Sequence, residues 1–293
     1  MLPAAEEAAA ADESGAGAHE QGGEGDRREV DEIALFEGAQ LYEKQRRAYE
    51  AQVLERAAGL LARIFTDYPT ARVAQQLSRG ERSLYHFTAP SLAYTELELS
   101  SFHGLFTKLH RLGWQDSNEG RFVDIGAGVG KSLFAACLFH EHWKQCVGIE
   151  ILTSLHQASL RIKDTWNVVK SELSQAQQDI DVQFLLGDAL TMGWAEPQPA
   201  GGSVVLINST AFTEPMMAAL SREACRLRSG AFVITTSQRL VGVDRFFDLV
   251  ASDGMRNSAG PITAFIYRRG KIDPPGHIGD ADKYVRDLLS AEV

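Results

Sequence analysis

The sequence is poor in cysteine: only Cys137, Cys146 and Cys225 occur in 293 residues, and they form no Cys-x-x-Cys pair. No regular histidine spacing accompanies them, so we expect neither a metal site nor a disulfide framework, and a reducing, intracellular compartment. Long apolar runs are also missing. No stretch of roughly 18 apolar residues exists, so we expect no membrane span. The opening residues lack the basic and apolar segments of a secretory signal.

Basic residues are outnumbered, with 29 Lys and Arg against 39 Asp and Glu and a formal net charge of −10. Residues 1–30 alone carry eight acids and two arginines. Because this opening is rich in Ala, Gly and Glu, it cannot bury enough apolar surface to fold, and we predict a disordered acidic tail over residues 1–29. The remainder is not basic, which predicts weak or indirect contact with nucleic acid. Its short basic clusters are interpreted as solvated faces: residues 44–47, 226–228 and 268–271.

A glycine loop, Gly126-x-Gly128-x-Gly130, follows the apolar stretch Phe122–Ile125 and precedes an apolar pattern at helical spacing. A strand, a tight turn and a helix start predict a nucleotide-like ligand at the edge of a parallel sheet. A P-loop is disfavoured because only three residues separate Gly126 from Gly130, and a dinucleotide fingerprint because position 131 is Lys131. The remaining pattern is that of Rossmann-like methyltransferases that bind S-adenosylmethionine. An ordinary tight turn is the alternative for the loop alone.

Further apolar stretches alternate with helical patterns after that loop, which implies a parallel sheet with right-handed crossovers. We predict an α/β fold of class I, the Rossmann-like S-adenosylmethionine-dependent methyltransferase fold. Its sheet is mostly parallel and seven-stranded, with a small N-terminal helical part. The predicted strands after the first are residues 146–150, 182–186, 203–207 and 231–236, then two antiparallel edge strands within 246–267. The predicted helices between them are residues 152–177 and 213–227.

The residues before the sheet have helical periodicity in two places. Apolar residues recur at three- and four-residue steps over residues 30–76, with an interruption at 68–70, and again over 97–112. Residues 78–95 show little periodicity and contain Pro90, which predicts a loop. The predicted organisation is as follows: residues 1–29 tail, 30–118 helical region with a loop that covers the cofactor, 119–272 Rossmann-like methyltransferase domain, and 273–293 C-terminal tail.

Polar residues stand at the ends of four successive predicted strands. These ends meet at one edge of a parallel sheet, where ligands bind. Asp124 is placed to meet the cofactor's ammonium group or orient the loop, and Glu150 to accept both ribose hydroxyls. Asp188 is placed to accept the adenine amine, and Asn208 would face the transferred methyl group. Each acid alone is more often a cap or a loop charge, but four polar residues on successive strand ends, three acids and an asparagine, favour a methyltransferase.

The run from Tyr94 to Phe212 resembles the non-SET histone lysine methyltransferases, the disruptor-of-telomeric-silencing (Dot1-like) family. The family's Asn-Asn-Phe-Ala-Phe segment is the most specific element, because the general fold does not require it. The motifs that carry the resemblance are Tyr94-Thr95-Glu96, Asp124 to Lys131, Gly148-Ile149-Glu150, Gly187-Asp188 and Asn208-Ser209-Thr210-Ala211-Phe212, with Thr235-Thr236 and Pro261 to Phe265 as weaker matches. The chain departs from the family pattern at Lys131, where the family has Gln, and at Ala189, where an aromatic residue would stack on adenine.

The resemblance implies methyl transfer from S-adenosylmethionine to a lysine in the globular part of histone H3, in nucleosomes and therefore in the nucleus. Tyr94 and Glu96 would close over the methionine end of the cofactor, and Lys131 would either pair with its carboxylate or be solvated. Asn208 would orient the substrate amine. Phe212 and Phe265 would line an apolar channel that keeps this amine uncharged, or be plain core aromatics.

Two other classes of function remain open at this stage. One is an S-adenosylmethionine-dependent methyltransferase of another protein, an RNA or a small molecule. The other is a non-catalytic scaffold that retains a cofactor-binding fold. Binding of S-adenosylmethionine discriminates the scaffold from the enzymes, and the methylated product discriminates among the enzymes.

Overall fold

The computed structural model describes residues 24–68, 70–114, 120–195 and 203–270. The helices are α1 (Glu24–Ile64), α2 (Ala71–Leu84), α3 (Leu99–Arg111), α4 (Lys131–Phe139), α5 (Thr153–Val169), α6 (Gln175–Gln178) and α7 (Glu214–Ala224). The strands are β1 (Gly120–Ile125), β2 (Trp143–Glu150), β3 (Asp181–Leu186), β4 (Val204–Ile207), β5 (Phe232–Thr236), β6 (Phe247–Asn257) and β7 (Gly260–Arg269). None of the helices described here combines the length and hydrophobicity needed to cross a bilayer.

The chain divides into two compact units, Met1–Ala51 and Gln52–Val293. In the first unit, helix α1 begins at Glu24, within the predicted acidic tail, whose residues 1–23 lie outside the described part. Arg46 forms ion pairs there with Glu43 at 2.7 Å and Glu50 at 2.6 Å. This cation is therefore paired within its own helix.

The second unit is built on a seven-stranded sheet with the order β3-β2-β1-β4-β5-β7-β6. The first five strands of this order run parallel, and β7 joins β5 and β6 by antiparallel pairing. The predicted mostly parallel sheet with an antiparallel pair at one edge is confirmed. Because β1 and β4 are neighbours, the strand order reverses beside the glycine loop, and this reversal opens a crevice there.

Both faces of the central strands are buried, as expected for a parallel sheet covered by helices on each side. Alternate residues of β1 show this: Phe122 belongs to the core on the side of α3, α4 and α5, and Val123 to the core on the side of α7. All four residues of β4 are buried. The sheet is therefore a rigid platform for the loops at its carboxyl edge.

The loop predicted over residues 78–95 is wrong in its first part, because α2 continues to Leu84. The buried face of α2 includes only small residues, Ala74 and Ser78, so the apolar pattern is weak there. Glu81 of α2 also contacts another helix, since its carboxylate accepts the backbone N–H groups of Thr153 at 2.9 Å and Ser154 at 2.6 Å. Helix α2 thus caps the first turn of α5, an interaction that hydrophobic periodicity does not report.

The helix predicted over residues 152–177 is broken after Val169. A short 3-10 turn follows, and Ser174 then starts α6 with a capping box. The Ser174 hydroxyl accepts the Gln177 backbone N–H, and the Gln177 side chain accepts the Ser174 backbone N–H.

The prediction that the basic cluster at residues 268–271 is a solvated face is also corrected in part. Arg269 is buried and donates to the carbonyls of Cys225 and Phe246, so it is not a solvated cation.

Candidate cofactor and active site

Two adjoining cavities lie at the carboxyl edge of the sheet, with volumes of about 110 Å³ and 40 Å³. The larger cavity contains Glu150 and Asp188, and the smaller contains Glu96, Asp124 and Lys131. Four residues line both cavities: Tyr94, Thr95, Gly126 and Asn208. The structure therefore brings the predicted strand-end residues to one crevice.

The glycine loop has the backbone geometry that its sequence predicts. Gly128 has a φ of +56°, and a Cβ atom there would lie 2.2 Å from the Tyr94 ring. Gly130 has a φ of +87°, and its Cβ atom would lie 2.4 Å from the Phe184 ring. The left-handed backbone disfavours a side chain at these positions, and the close ring contact leaves no room for one. The loop therefore lies tightly between Tyr94 and the sheet.

Glu150 is buried in the larger cavity, and each of its side-chain oxygens has a backbone donor. Oε2 accepts the Gly128 N–H at 2.7 Å and Oε1 accepts the Leu152 N–H at 2.8 Å. Burial raises the pKa of Glu150, and the backbone N–H bonds oppose that rise. A carboxylate has about four acceptor sites, so two sites beyond these bonds suit ribose hydroxyls.

Asp188 is half-buried and lines the same cavity, and its Oδ1 accepts the Leu190 N–H at 2.9 Å. Its neighbour Ala189 also lines the larger cavity and leaves open the space that an aromatic ring would fill. The Ala189 carbonyl is held by the Trp194 indole N–H at 3.0 Å. Hydrogen bonds between side chains and the backbone thus hold the cavity wall near Asp188, although this wall lacks an aromatic residue that could stack on adenine.

Asp124 differs from Glu150 because one of its oxygens is unsatisfied. The Ser132 hydroxyl donates to Oδ2, but the buried Oδ1 has no hydrogen-bond partner among the described residues. Burial is the main cause that raises the pKa of Asp124 to about 7. A buried acceptor without a donor is costly. The smaller cavity, which Asp124 lines, therefore fits an ammonium group such as that of S-adenosylmethionine.

The segment Tyr94–Glu96 covers the glycine loop through its side chains. The Tyr94 hydroxyl donates to Glu96 Oε1 at 2.8 Å, and Lys131 Nζ donates to Glu96 Oε2 at 2.8 Å. Burial and the Glu96 charge raise the pKa of Tyr94 well above its ordinary value, so the hydroxyl stays a donor. Lys131 is not merely solvated, since it pairs with Glu96. We call residues 94–96 the covering segment.

The side-chain amide of Asn208 joins the covering segment to the sheet. Its Nδ2 donates to the Thr95 carbonyl at 3.2 Å and the Thr95 hydroxyl at 3.1 Å. Its Oδ1 accepts from the Thr236 hydroxyl at 2.9 Å and the Thr210 hydroxyl at 3.3 Å. Two amide hydrogens and two lone pairs are the full capacity of this group. In this arrangement Asn208 has no acceptor left for a substrate amine.

The two candidate channel aromatics lie in different places. Phe212 is half-buried, lines the larger cavity, and has its Cζ atom 3.7 Å from where a Gly126 Cβ atom would be. Phe265 lines neither cavity; it lies on β7 opposite Thr235, with the Arg239 guanidinium 5.0 Å above its ring. The structure therefore brings Phe212 to the site and does not bring Phe265.

Sequence reasoning missed four hydroxyl groups at this site, one of them that of Thr210, which donates to Asn208. Ser132 bonds to Asp124, and Thr95 and Thr236 bond to Asn208. Thr95 and Thr236 stand within the quoted motifs, and Ser132 directly follows the motif that ends at Lys131. Their positions could therefore have indicated a place in the site, although a serine or a threonine alone does not. In the described ranges, no cluster of three or more His, Cys, Asp or Glu residues is arranged to hold a metal ion.

The strand order, the glycine loop after β1 and the acids at the ends of β2 and β3 define the class of protein. It is a Rossmann-like methyltransferase whose cofactor is S-adenosylmethionine. The family follows from the sequence: the family model described as "Histone methylation protein DOT1" matches residues 78–247, more than half of the chain. The chain therefore belongs to the DOT1 histone methylation family. No curated protein matches it.

Solved structures similar to this chain include several methyltransferases. An RNA methyltransferase from Salinibacter ruber in complex with S-adenosyl-L-homocysteine is 18% identical, with a TM-score of 0.36 over 59% of this chain and 94% of that one. The N-methyltransferase NodS from Bradyrhizobium japonicum is 12% identical, with a TM-score of 0.39 over 58% and 94%. A putative methyltransferase, yhhF from Escherichia coli, is 13% identical, with a TM-score of 0.41 over 58% and 84%.

Proposed function

We propose that the protein is a histone-lysine N-methyltransferase that acts on a lysine in the globular part of histone H3 within nucleosomes. The observation that carries the proposal is that every residue lining either cavity lies within the stretch matched by the histone methylation family, residues 78–247. The Asn208–Phe212 segment adds support, because it lies at the end of β4 and both of its terminal residues line a cavity.

The cofactor residues are assigned by cavity. Glu150 and Asp188 in the larger cavity are suited to ribose and adenine, since both present carboxylate oxygens there. Asp124 in the smaller cavity is suited to the methionine ammonium group through its unpartnered Oδ1. The glycine loop between them bends without side chains, so the cofactor can lie against its backbone. The transferred methyl group would then lie near the four residues that both cavities share.

One feature of this chain suits the transfer itself, the apolar lining of the larger cavity. A lysine amine must be uncharged to attack, although its ordinary pKa is about 10.4. The apolar Phe212 and Met216 line the larger cavity, and removal of water there favours the neutral amine. When bound, S-adenosylmethionine would supply a methyl group to the neutral lysine nitrogen and be left as S-adenosylhomocysteine, while the nitrogen would release a proton to solvent.

Asn208 and Tyr94 are assigned to positioning. Asn208 spends its whole hydrogen-bonding capacity on Thr95, Thr236 and Thr210, so it holds the covering segment at the junction of the cavities. Tyr94 packs on Gly128 and donates to Glu96. Both act on alignment, which accounts for much of the rate gain in an in-line displacement.

The proposed partner is the nucleosome, and the proposed location is therefore the nucleus. The state of several basic side chains supports weak or indirect contact of the protein with DNA. Arg46 is paired within α1, Arg226 pairs with Glu223 at 3.1 Å, and Arg269 is buried, so these cations are engaged within the protein.

The test is transfer of a radiolabelled methyl group to recombinant nucleosomes, free histones and RNA in parallel, with the labelled residue located by mass spectrometry. We expect label on a lysine in the globular part of H3 in nucleosomes. Label on RNA or another protein, or none while the cofactor still binds, would contradict the proposal. Asp124→Ala should abolish transfer.

A matched pair of variants links the activity to the cavity. Phe212→Leu should lower nucleosome methylation by roughly tenfold, because it removes part of the apolar lining that favours the neutral amine. Phe265→Leu changes a half-buried phenylalanine that lines neither cavity and should leave the rate within about twofold. Equal losses in both variants would contradict the assignment of Phe212.

A further inference from the structure

The turn that follows β5 is hydrogen-bonded to the segment that follows β4. The Ser237 hydroxyl donates to the Thr210 hydroxyl at 3.3 Å, and Gln238 Nε2 donates to the Phe212 carbonyl. We call residues 236–238 the anchoring turn. Because β4 and β5 are neighbouring parallel strands, these bonds join two chain segments at the carboxyl edge of the sheet.

The backbone of the anchoring turn is strained and held on several sides. Ser237 has a φ of +63°, a left-handed conformation that is unfavourable for a residue with a side chain. Its N–H donates to the Thr263 carbonyl of β7 at 2.7 Å, and the Gln238 N–H donates to the Thr236 carbonyl at 2.7 Å. The Thr235 hydroxyl donates to the Gln238 carbonyl at 2.5 Å. Strain of this kind persists where the surrounding structure over-determines it, so the turn is a fixed support for the Gln238 side chain.

The backbone of Phe212 is held at two points. Its N–H donates to the Ser209 carbonyl at 3.0 Å, and its carbonyl accepts the side-chain amide of Gln238. These two bonds set the direction in which the Phe212 ring extends into the larger cavity, beside Gly126. Gln238 itself lines neither cavity. Its influence on the site therefore passes through Phe212.

We propose that Gln238 is a positioning residue for methyl transfer, because its amide keeps the Phe212 ring where the acceptor amine loses water. The inference rests on the proposed function, in which Phe212 favours the neutral amine. Without the amide donor, the Phe212 carbonyl would lose a hydrogen bond and the segment would be free to shift. A displaced ring would admit water, which favours the charged amine. Gln238 thus supports the reaction without contact with the substrate.

The experiment compares steady-state methylation of recombinant nucleosomes by the wild-type chain and by Gln238→Glu. This variant keeps the shape of the side chain, but an ionised carboxylate has only acceptors and repels the Phe212 carbonyl. We expect kcat to fall by roughly tenfold, because alignment governs an in-line displacement. The KM for nucleosomes should stay within about twofold, since the change acts after the nucleosome has bound.

The pH profile of kcat separates positioning from a loss of folded protein. The rising limb of this profile reports the ionisation of the bound amine. In Gln238→Glu the limb should move to higher pH by about half a unit or more, because a wetter cavity returns the amine towards its ordinary pKa. Gln238→Met removes the donor without adding a charge and should move the limb in the same direction. A loss of folded protein would lower kcat equally at every pH.

The matched control is Gln178→Glu. Gln178 is also half-buried, its Nε2 donates to the Leu173 carbonyl at 2.9 Å, and it lines neither cavity. This variant should keep the wild-type kcat and pH profile. Gln238→Lys places donors near the Phe212 carbonyl again and should recover most of the rate that Gln238→Met loses.

Hydrogen exchange measures the same contact without a substrate. In Gln238→Glu and Gln238→Met, the amides of residues 209–212 should exchange roughly tenfold faster than in the wild-type chain, because local opening becomes easier. In Gln178→Glu these amides should exchange at the wild-type rate.

The outcomes separate this inference from the proposed function. An unchanged pH profile in both Gln238→Glu and Gln238→Met would overturn it, as would an equal loss of kcat in Gln178→Glu. If Gln238→Glu does not fold, Gln238→Met decides. A wild-type chain that methylates no nucleosomes, together with faster exchange in the Gln238 variants, would overturn the proposed substrate and leave the contact between Gln238 and Phe212 intact.

Discussion

The two cavities contain buried acids that look alike in sequence and differ in their bonding. Glu150 is 6% exposed and is the last residue of β2, and Asp124 is 3% exposed and is the last residue but one of β1. Both oxygens of Glu150 accept backbone N–H groups, whereas Oδ1 of Asp124 accepts nothing among the described residues. The buried acid of the larger cavity thus has a donor on each oxygen without a ligand. The smaller one has an unsatisfied polar group that a ligand can satisfy.

The largest expected effect is that of Gly128→Ala, which acts where the cavities meet. The new Cβ atom would lie 2.2 Å from the Tyr94 ring, at a φ of +56°. Strain and overlap together should cost roughly 4 to 5 kcal/mol of unfolding free energy and abolish measurable binding of S-adenosylhomocysteine. Urea unfolding and calorimetry measure the two quantities.

Gly113→Ala is the control for this variant. Gly113 has a φ of +84°, but a Cβ atom there meets no described residue within 4 Å, so the expected cost is that of the backbone strain. We expect a loss of about 1 kcal/mol and unchanged binding. If both glycine variants bind S-adenosylhomocysteine equally well, close contact between Tyr94 and the loop is not needed for the site.

The next effect is the pH dependence of stability caused by Asp124. Its pKa is about 7 in the folded chain against an ordinary 3.8, so the folded state binds the extra proton between these values. The unfolding free energy should therefore fall as pH rises from about 4 to about 7, by up to about 4 kcal/mol. Asp124→Asn cannot titrate and should lack this decline.

The measurement is urea unfolding of both chains without cofactor at pH 4, 5.5, 7 and 8. Stability of the wild-type chain minus that of Asp124→Asn should decrease over this series and then level off. Binding of a ligand ammonium favours the charged carboxylate, so wild-type affinity for S-adenosylhomocysteine should rise with pH up to about 7. A constant difference in stability would show that the buried oxygen is satisfied in solution.

Glu150→Gln tests the other half of the comparison. A glutamine can accept only one of the two N–H groups, from Gly128 or Leu152, and must face the other with its own amide hydrogens. This mismatch should cost about 2 kcal/mol of unfolding free energy at pH 7.5. Asp124→Asn at the same pH should cost nothing, because its amide replaces an unpartnered oxygen. Similar losses of unfolding free energy in the two variants would show that Glu150 and Asp124 do not differ in how well their oxygens are hydrogen-bonded.

The sequence predicted the sheet well, because buried parallel strands and a glycine turn leave strong local signals. The apolar stretch Phe122–Ile125 and the end of the next strand at Glu150 are observed as predicted. Cavity membership also follows from this pattern, since strand ends of a parallel sheet converge on one edge. The positions of Asp124, Asp188 and Asn208 in the crevice therefore needed no tertiary information.

What the sequence did not reveal depends on partners far apart in the chain. Glu81 caps a helix that begins 72 residues later, and this long-range bond leaves no mark in the apolar pattern of α2. The side-chain amide of Asn208 donates to Thr95, 113 residues before it, and its oxygen accepts from Thr236 and Thr210. The sequence alone did not show that this oxygen is already engaged. Phe265 lies beyond the crevice because the antiparallel register of β7 sets its face. Such pairings are set by tertiary packing.

The smallest expected effect concerns Thr95, which lines both cavities. Thr95→Val removes the hydroxyl that Asn208 Nδ2 contacts at 3.1 Å and leaves the bond to the Thr95 carbonyl at 3.2 Å. Loss of one neutral hydrogen bond is worth about 1 kcal/mol, so affinity for S-adenosylhomocysteine should weaken by roughly fivefold in calorimetry. Thr107→Val, whose hydroxyl donates to His103 within α3, is the control and should bind normally. Both cavities depend on the same covering segment. An analogue of S-adenosylhomocysteine that lacks the α-carboxylate should therefore lose affinity by the same factor in Thr95→Val. If only the ligand that carries the carboxylate loses affinity, Thr95 acts on the smaller cavity alone.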